Sequence, residues 1–151
     1  MSDALHFGDW LAPLLDPLTP AARAALGRRL AQGLRRRTAQ RIAAQQNPDG
    51  SPFAPRRIRA RQGGIRRRVA GKMFRKLRQS GHLKAVGDAD GAAVGYRGRA
   101  AHIAQVHQHG LRDRVAPGIH HRYAARRLLG FSAADREWIL DELQRHWPGR
   151  A

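Results

Sequence analysis

Residues 19–55, TPAARAALGRRLAQGLRRRTAQRIAAQQNPDGSPFAP, decide how the chain is organised. Thr19 supplies a helix N-cap, and Pro20 takes the first helical position, where its missing N–H costs nothing. Ala22, Leu26, Leu30, Leu34, Thr38 and Ile42 then recur every four residues, so the spacing predicts one amphipathic helix running to about Gln46. Arg23, Arg28, Arg29, Arg35, Arg36, Arg37 and Arg41 fall mostly on its other faces. Gly27 and Gly33 each cost about 1 kcal/mol relative to Ala, so the helix depends on packing rather than on propensity. Asn47, Pro48, Asp49, Gly50 and Pro52 end it in a turn, the Asn and Asp side chains serving local backbone groups and Gly50 permitting a positive φ. Phe53 is placed to anchor the next segment of chain against the body.

Upstream, Leu5, Trp10, Leu11, Leu14 and Leu15 are spaced for a short amphipathic helix over residues 5–15, closed by Pro17. Downstream, residues 56–68 (RRIRARQGGIRRR) lack the apolar surface to fold alone and read as an extended or mobile arm. Residues 69–79 suggest one or two helical turns with Val69, Met73, Phe74 and Leu77 on one side. His82 to Val86 and Ala92 to Arg97 flank a polar turn, the pattern of a β-hairpin. A helix over residues 99–109 stops at Gly110; a loop from Leu111 to His121 and a strand around Arg122 to Ala125 come next. Ser132 with Asp135 makes a capping box for a terminal helix carrying Trp138, Ile139, Leu143 and Trp147. The expectation is a single α+β domain over 1–151, with N-terminal helices, a small antiparallel β-sheet and a C-terminal helix. Its parts are a helical portion (5–46), a basic arm or loop (47–68) and an α+β body (69–147).

The charge is local. Residues 17–78 hold eighteen Lys or Arg against one acid, Asp49, within a chain whose formal net charge is +18. Of the 29 basic residues only Lys72, Lys76 and Lys84 are Lys. Arginine forks selected for phosphate or carboxylate partners and a GC-rich coding sequence both explain that excess. The absence of Cys excludes disulfides and thiolate chemistry. No apolar run approaches the roughly 20 residues that span a bilayer, and the first residues show no secretory pattern, so no membrane partner is expected.

Catalytic and metal chemistry find little support. His107 and His109 diverge by about 200 degrees on a helix and cannot chelate together, and zinc needs three or four converging ligands. No Ser or Thr stands in a nucleophile context, Asp88 and Asp90 belong to a hairpin turn, and Gly63-Gly64 lacks the phosphate-loop continuation. No enzyme, cofactor or metal is expected. Residues 56–78 carry eleven cations, which favours loose contact with nucleic acid or an acidic protein face. Phe74 alone interleaves with them, so base stacking has little to use.

Four strings in order, RIAAQQNPDGSPFAPR (Arg41 to Arg56), KMFRKLR (Lys72 to Arg78), VGYRGRAAHIAQVHQHGLRDRV (Val94 to Val115) and YAARRLLGFSAAD (Tyr123 to Asp135), resemble the phage virion morphogenesis family, the tail completion proteins of contractile-tailed phages and their prophage relatives. Ala124 stands where relatives commonly carry proline. The resemblance implies a non-catalytic structural protein that completes the tail end for joining to a filled head. It implies a homo-oligomeric ring, tail tube and neck or head-completion proteins as partners, and assembly in the host cytoplasm into the virion tail or neck. A general nucleic-acid-binding protein is the alternative. Partner contact is expected at Arg56, Arg57, Arg59, Arg61, Arg66, Arg67, Arg68, Gln108, Tyr123 and Arg126, with anchoring of the fold as the alternative role for Gln108, Tyr123 and Arg126. Structural turns are expected at Asn47, Pro48, Asp49, Gly50, Pro52, Phe53 and Gly110.

Overall fold

The computed structural model describes residues 5–6, 16–56 and 71–148. Helix α1 spans Pro20–Ala43, with the Thr19 side chain accepting from the Ala22 N–H and proline at the first helical position. Leu26, Leu30, Leu34, Thr38 and Ile42 are all buried, as the four-residue repeat predicts, while Ala22 at the head of the series is exposed. Fully burying one such leucine is worth about 1.5–3 kcal/mol, so Leu26, Leu30 and Leu34 together outweigh the two helix glycines.

Those glycines are where α1 meets its neighbours. Strands β2 (Lys84–Gly87) and β3 (Ala92–Gly95) form the expected hairpin, with Lys84 opposite Gly95 and Gly87 opposite Ala92. Asp88 closes its turn by accepting from the N–H groups of Asp90 and Gly91. A Cβ on Gly27 would lie 2.2 Å from the Asp88 carbonyl oxygen, and one on Gly87 would lie 2.2 Å from the Gly27 oxygen. The helix backbone therefore rests directly on the hairpin backbone.

β3 is buried along its whole length because it is the central strand of a three-stranded sheet, flanked by β2 and by β1 (Leu5–His6). β1 corrects the expected helix over 5–15. Leu5 pairs with Val94 and His6 with Ala93, so the free edge of β3 takes a backbone partner that an amphipathic helix would not supply. Residues 7–15 of that expectation lie outside the described residues.

Helix α2 (Gly98–His109) ends at Gly110, which adopts the left-handed conformation at φ 62°. The expected loop from 111 to 121 is instead a second hairpin, β4 (Arg112–Ala116) and β5 (Ile119–Arg122), turned by Pro117 and by Gly118 at φ 70°. The strand expected at 122–125 is thus β5, ending at Arg122. Residues 71–80 form turns rather than helix, because Phe74 has φ 64° and cannot continue one; Met73 and Leu77 are nonetheless buried.

Helix α3 (Ala133–Arg145) carries the capping box of Ser132 and Asp135. It runs antiparallel along α1, since Arg29 bonds Glu142 and Arg37 bonds Asp135 at 2.7 Å. Both carboxylates are buried, and Arg37 also lies over the Trp138 ring, 5.6 Å from its centroid. A Cβ on Gly33 would lie 2.0 Å from that indole. The fold is α+β, with one core of Leu26, Leu34, Ile42, Leu83, Val94, Leu128 and Ile139 shared by α1, the sheet and α3.

Candidate partner-contact surface

The turn after α1 is built from its own side chains. Gln45 takes φ 58°, which reverses the chain, and the Phe53 N–H returns to the Gln45 carbonyl at 2.7 Å. Asn47 donates to the Ser51 and Pro52 carbonyls, and its carbonyl oxygen accepts the Arg127 N–H at 2.8 Å. The Asp49 carboxylate accepts from the Ser51 hydroxyl and N–H, which lowers its pKa below the usual carboxylate value. Gly50 has φ 86°, and Pro48 packs where a side chain at Gly130 would be.

Two clamps fix the chain on either side of residues 57–70, which lie outside the described residues. Arg126, only 6% exposed, donates from Nε to the Ala54 carbonyl at 2.6 Å and from Nη2 to the Pro55 carbonyl at 2.8 Å. A guanidinium suits this task because its planar fork reaches two acceptors at once. Burial, with Arg56 nearby, lowers its pKa. On the return side, the Gln45 amide donates to the Met73 carbonyl at 3.0 Å and accepts the Met73 N–H at 2.7 Å. The same device recurs at Gln108, which donates to the Leu129 carbonyl at 2.8 Å and accepts its N–H at 2.9 Å. In both places one amide satisfies both polar groups of a backbone unit, as a neighbouring strand would.

A ladder of rings joins these parts. Phe53 meets Phe74 edge-on at 5.6 Å, Phe74 meets His107 at 4.8 Å, His107 meets Tyr123 at 4.8 Å, and Tyr123 meets His121 at 4.8 Å. The turn, the returning segment, α2 and β5 are thereby stacked in sequence. Desolvation at the centre, reinforced by Arg126 and Arg56, pushes the His107 pKa down to about 4.

Beside the ladder opens a groove of about 1440 Å³, lined in part by Arg56, Lys72, Arg75 and Lys76 on one side and by Ile119, Arg122 and Tyr123 on the other. Of the residues expected to meet a partner, Arg56 is exposed on this groove and half-buried Tyr123 lines it. Arg126 and Gln108 turn their side chains to backbone within the chain. Arg57, Arg59, Arg61, Arg66, Arg67 and Arg68 lie outside the described residues. Several basic residues of α1 also bond within the chain. Besides Arg29 and Arg37, Arg41 donates to the carbonyls of Leu128 and Gly130, and burial lowers its pKa.

Sequence reasoning missed Gln45, His107 and the β4–β5 hairpin. The Pro117-Gly118 pair was a usable signal for the hairpin, whereas an amide bracket between residues 28 positions apart leaves no local trace. Among the described residues, no group of three or more His, Asp or Glu is placed to hold a metal, and no helix is long and apolar enough to cross a membrane.

Residues 3–147 match the model of the phage virion morphogenesis family. The chain is 36% identical over 151 residues to the tail completion protein S of Escherichia phage P2, an alignment covering 97% of this chain and 98% of that protein. No solved structure matches it. The turn, the glutamine brackets and the ring ladder all fall inside the matched span, and the chain belongs to the phage virion morphogenesis family.

Proposed function

We propose that this chain completes the end of a phage tail, as a homo-oligomeric ring without catalysis, and so prepares it for joining to the head. The observation that carries the reading is the likeness to a tail completion protein along nearly the full length of both chains. The ring would form in the host cytoplasm and remain in the virion tail or neck, against tail tube and neck or head-completion proteins. A prophage origin is equally compatible with it. Within residues 47–68, the basic side chains from Arg56 onward serve as the partner-contact arm, offered to acidic partner surfaces. The internal clamps support this assignment: Arg126 holds Ala54 and Pro55, and Gln45 holds Met73, on either side of residues 57–70 in sequence.

Deleting residues 56–68 tests the arm. The variant should keep its helical circular dichroism and thermal transition yet fail to restore infectious particles to a phage lacking the gene. Full restoration would rule out a role for the arm.

The concentrated positive charge favours a second reading, non-specific binding to nucleic acid. Against it, Phe74 and Tyr123 are spent on the ring ladder rather than offered for stacking. Titrating salt against duplex binding separates the two. Tail completion predicts weak binding that disappears near about 0.15 M salt, where exposed charges are screened beyond about 8 Å; tight binding that survives supports the second reading.

A further inference from the structure

The chain carries two surfaces of complementary character. One is the groove. Arg56, Lys72, Arg75, Lys76 and Arg122 line it, and no Asp or Glu among the described residues does. Ile119, 57% exposed, and Ile103, 38% exposed, supply apolar surface inside it.

The other surface is the outer face of α3. Glu137, Leu140, Asp141 and Gln144 succeed one another at offsets of three, one and three over two turns, which places them on one side of the helix, and Trp147 follows just beyond its end. All five are exposed. The helix thus sorts its acids by face. Asp135 and Glu142 turn inward to Arg37 and Arg29, whereas Glu137 and Asp141 have no cation partner among the described residues and flank the exposed Leu140. Carboxylates around an apolar centre match a groove whose cations surround exposed isoleucines.

We infer that the Glu137, Leu140 and Asp141 ridge of one copy seats in the basic groove of the next. This rests on the ring reading and assigns its interface. The occupant is a second copy because the same chain supplies both halves. The halves share no residue, which lets the ridge of one copy engage a second copy while its groove takes the ridge of a third, a head-to-tail contact of the type that propagates and closes into a ring when its rotation permits. It also sets two carboxylates of one copy against five cations of another, offsetting part of the repulsion between chains of net charge +18. Opposite charges fix the register, and the apolar centre supplies the desolvated contact.

Sedimentation of the full chain tests it, with paired charge reversals. Glu137→Lys with Asp141→Lys alters the ridge, and Lys72→Glu with Lys76→Glu alters the groove. All four residues are exposed, and an unchanged thermal transition confirms folding. Each double variant should associate at least about tenfold more weakly than the natural chain, because like charges then face each other across the contact. Mixing the two variants should restore assembly, since altered ridge then meets altered groove and natural ridge meets natural groove. Assembly of the natural chain that neither reversal weakens, or mixing that restores nothing, overturns this interface while the ring stands. A natural chain that stays monomeric at all concentrations overturns the ring itself.

Discussion

The side-chain amide of Gln45 holds both backbone polar groups of Met73, joining the turn after α1 to a segment 28 positions further along the chain. Replacing Gln45 by Ala leaves a partly buried N–H and C=O without their partners. Both residues carry a Cβ, so the strain of φ 58° is common to the two chains and cancels. Unfolding in urea should show a loss of about 2 kcal/mol, the cost of stranding such groups. A loss within error of zero would mean that water replaces the amide.

The glycine contacts of α1 make a graded prediction. Gly27→Ala and Gly33→Ala both raise helix propensity by about 1 kcal/mol, yet both should destabilise. Gly33 faces the edge of a side chain, Trp138, which has some freedom to tilt; Gly27 faces the Asp88 backbone, which has little. Chemical denaturation should therefore rank Gly27→Ala as the worse, with Gly33→Ala costing about 1–3 kcal/mol as overpacking does. Pairing Gly33→Ala with Trp138→Leu should recover part of that loss, a non-additivity expected of residues in contact.

His107 gives the fold an acid sensitivity whose sign comes from its depressed pKa. Its folded value of about 4 lies below the ordinary 6.5, so the unfolded chain takes up the proton first as pH falls. Stability from this residue is complete above about pH 6.5 and declines as pH falls toward 4. Carboxylates protonating at low pH add their own loss. Comparing denaturation midpoints of His107→Phe and the natural chain across that interval isolates the histidine, and the variant should show the shallower decline. Parallel declines would place the sensitivity elsewhere.

Arg126→Lys tests whether holding Ala54 and Pro55 needs a fork rather than a charge. An ammonium keeps the cation but not the planar pair of donors that reach Ala54 and Pro55 together. The substitution should cost about 1.5–3 kcal/mol, the range for hydrogen bonds to charged groups. Amide hydrogen exchange at Phe53 and Ala54 should quicken with it. Unchanged exchange there would show that Phe53 alone anchors the segment.

Local chemistry made much of this fold legible. The N-cap Thr19, the stop at Gly110, the capping box of Ser132 and Asp135, and the stripe from Leu26 to Ile42 all act within a few residues, and the structure shows each of them. What was illegible was tertiary. Leu5 has the spacing of a helical residue, and only the free edge of β3 makes it a strand. Gly27 and Gly33 read as penalties until the hairpin and Trp138 press against them. Arg29, Arg37 and Arg41 read as part of a charge run and Arg126 as a partner contact, although each is held by a partner far away in sequence. The arm expectations at Arg57 through Arg68 lie outside the described residues, while Arg56 stands at the groove where that segment begins.

The proposed role is assembly at the end of the tail, and its sharpest test is electron microscopy of lysates from a phage lacking this gene. Filled heads and separate tails should accumulate unjoined, with joined particles returning when the natural chain is supplied. Normal joined virions in its absence would contradict that role.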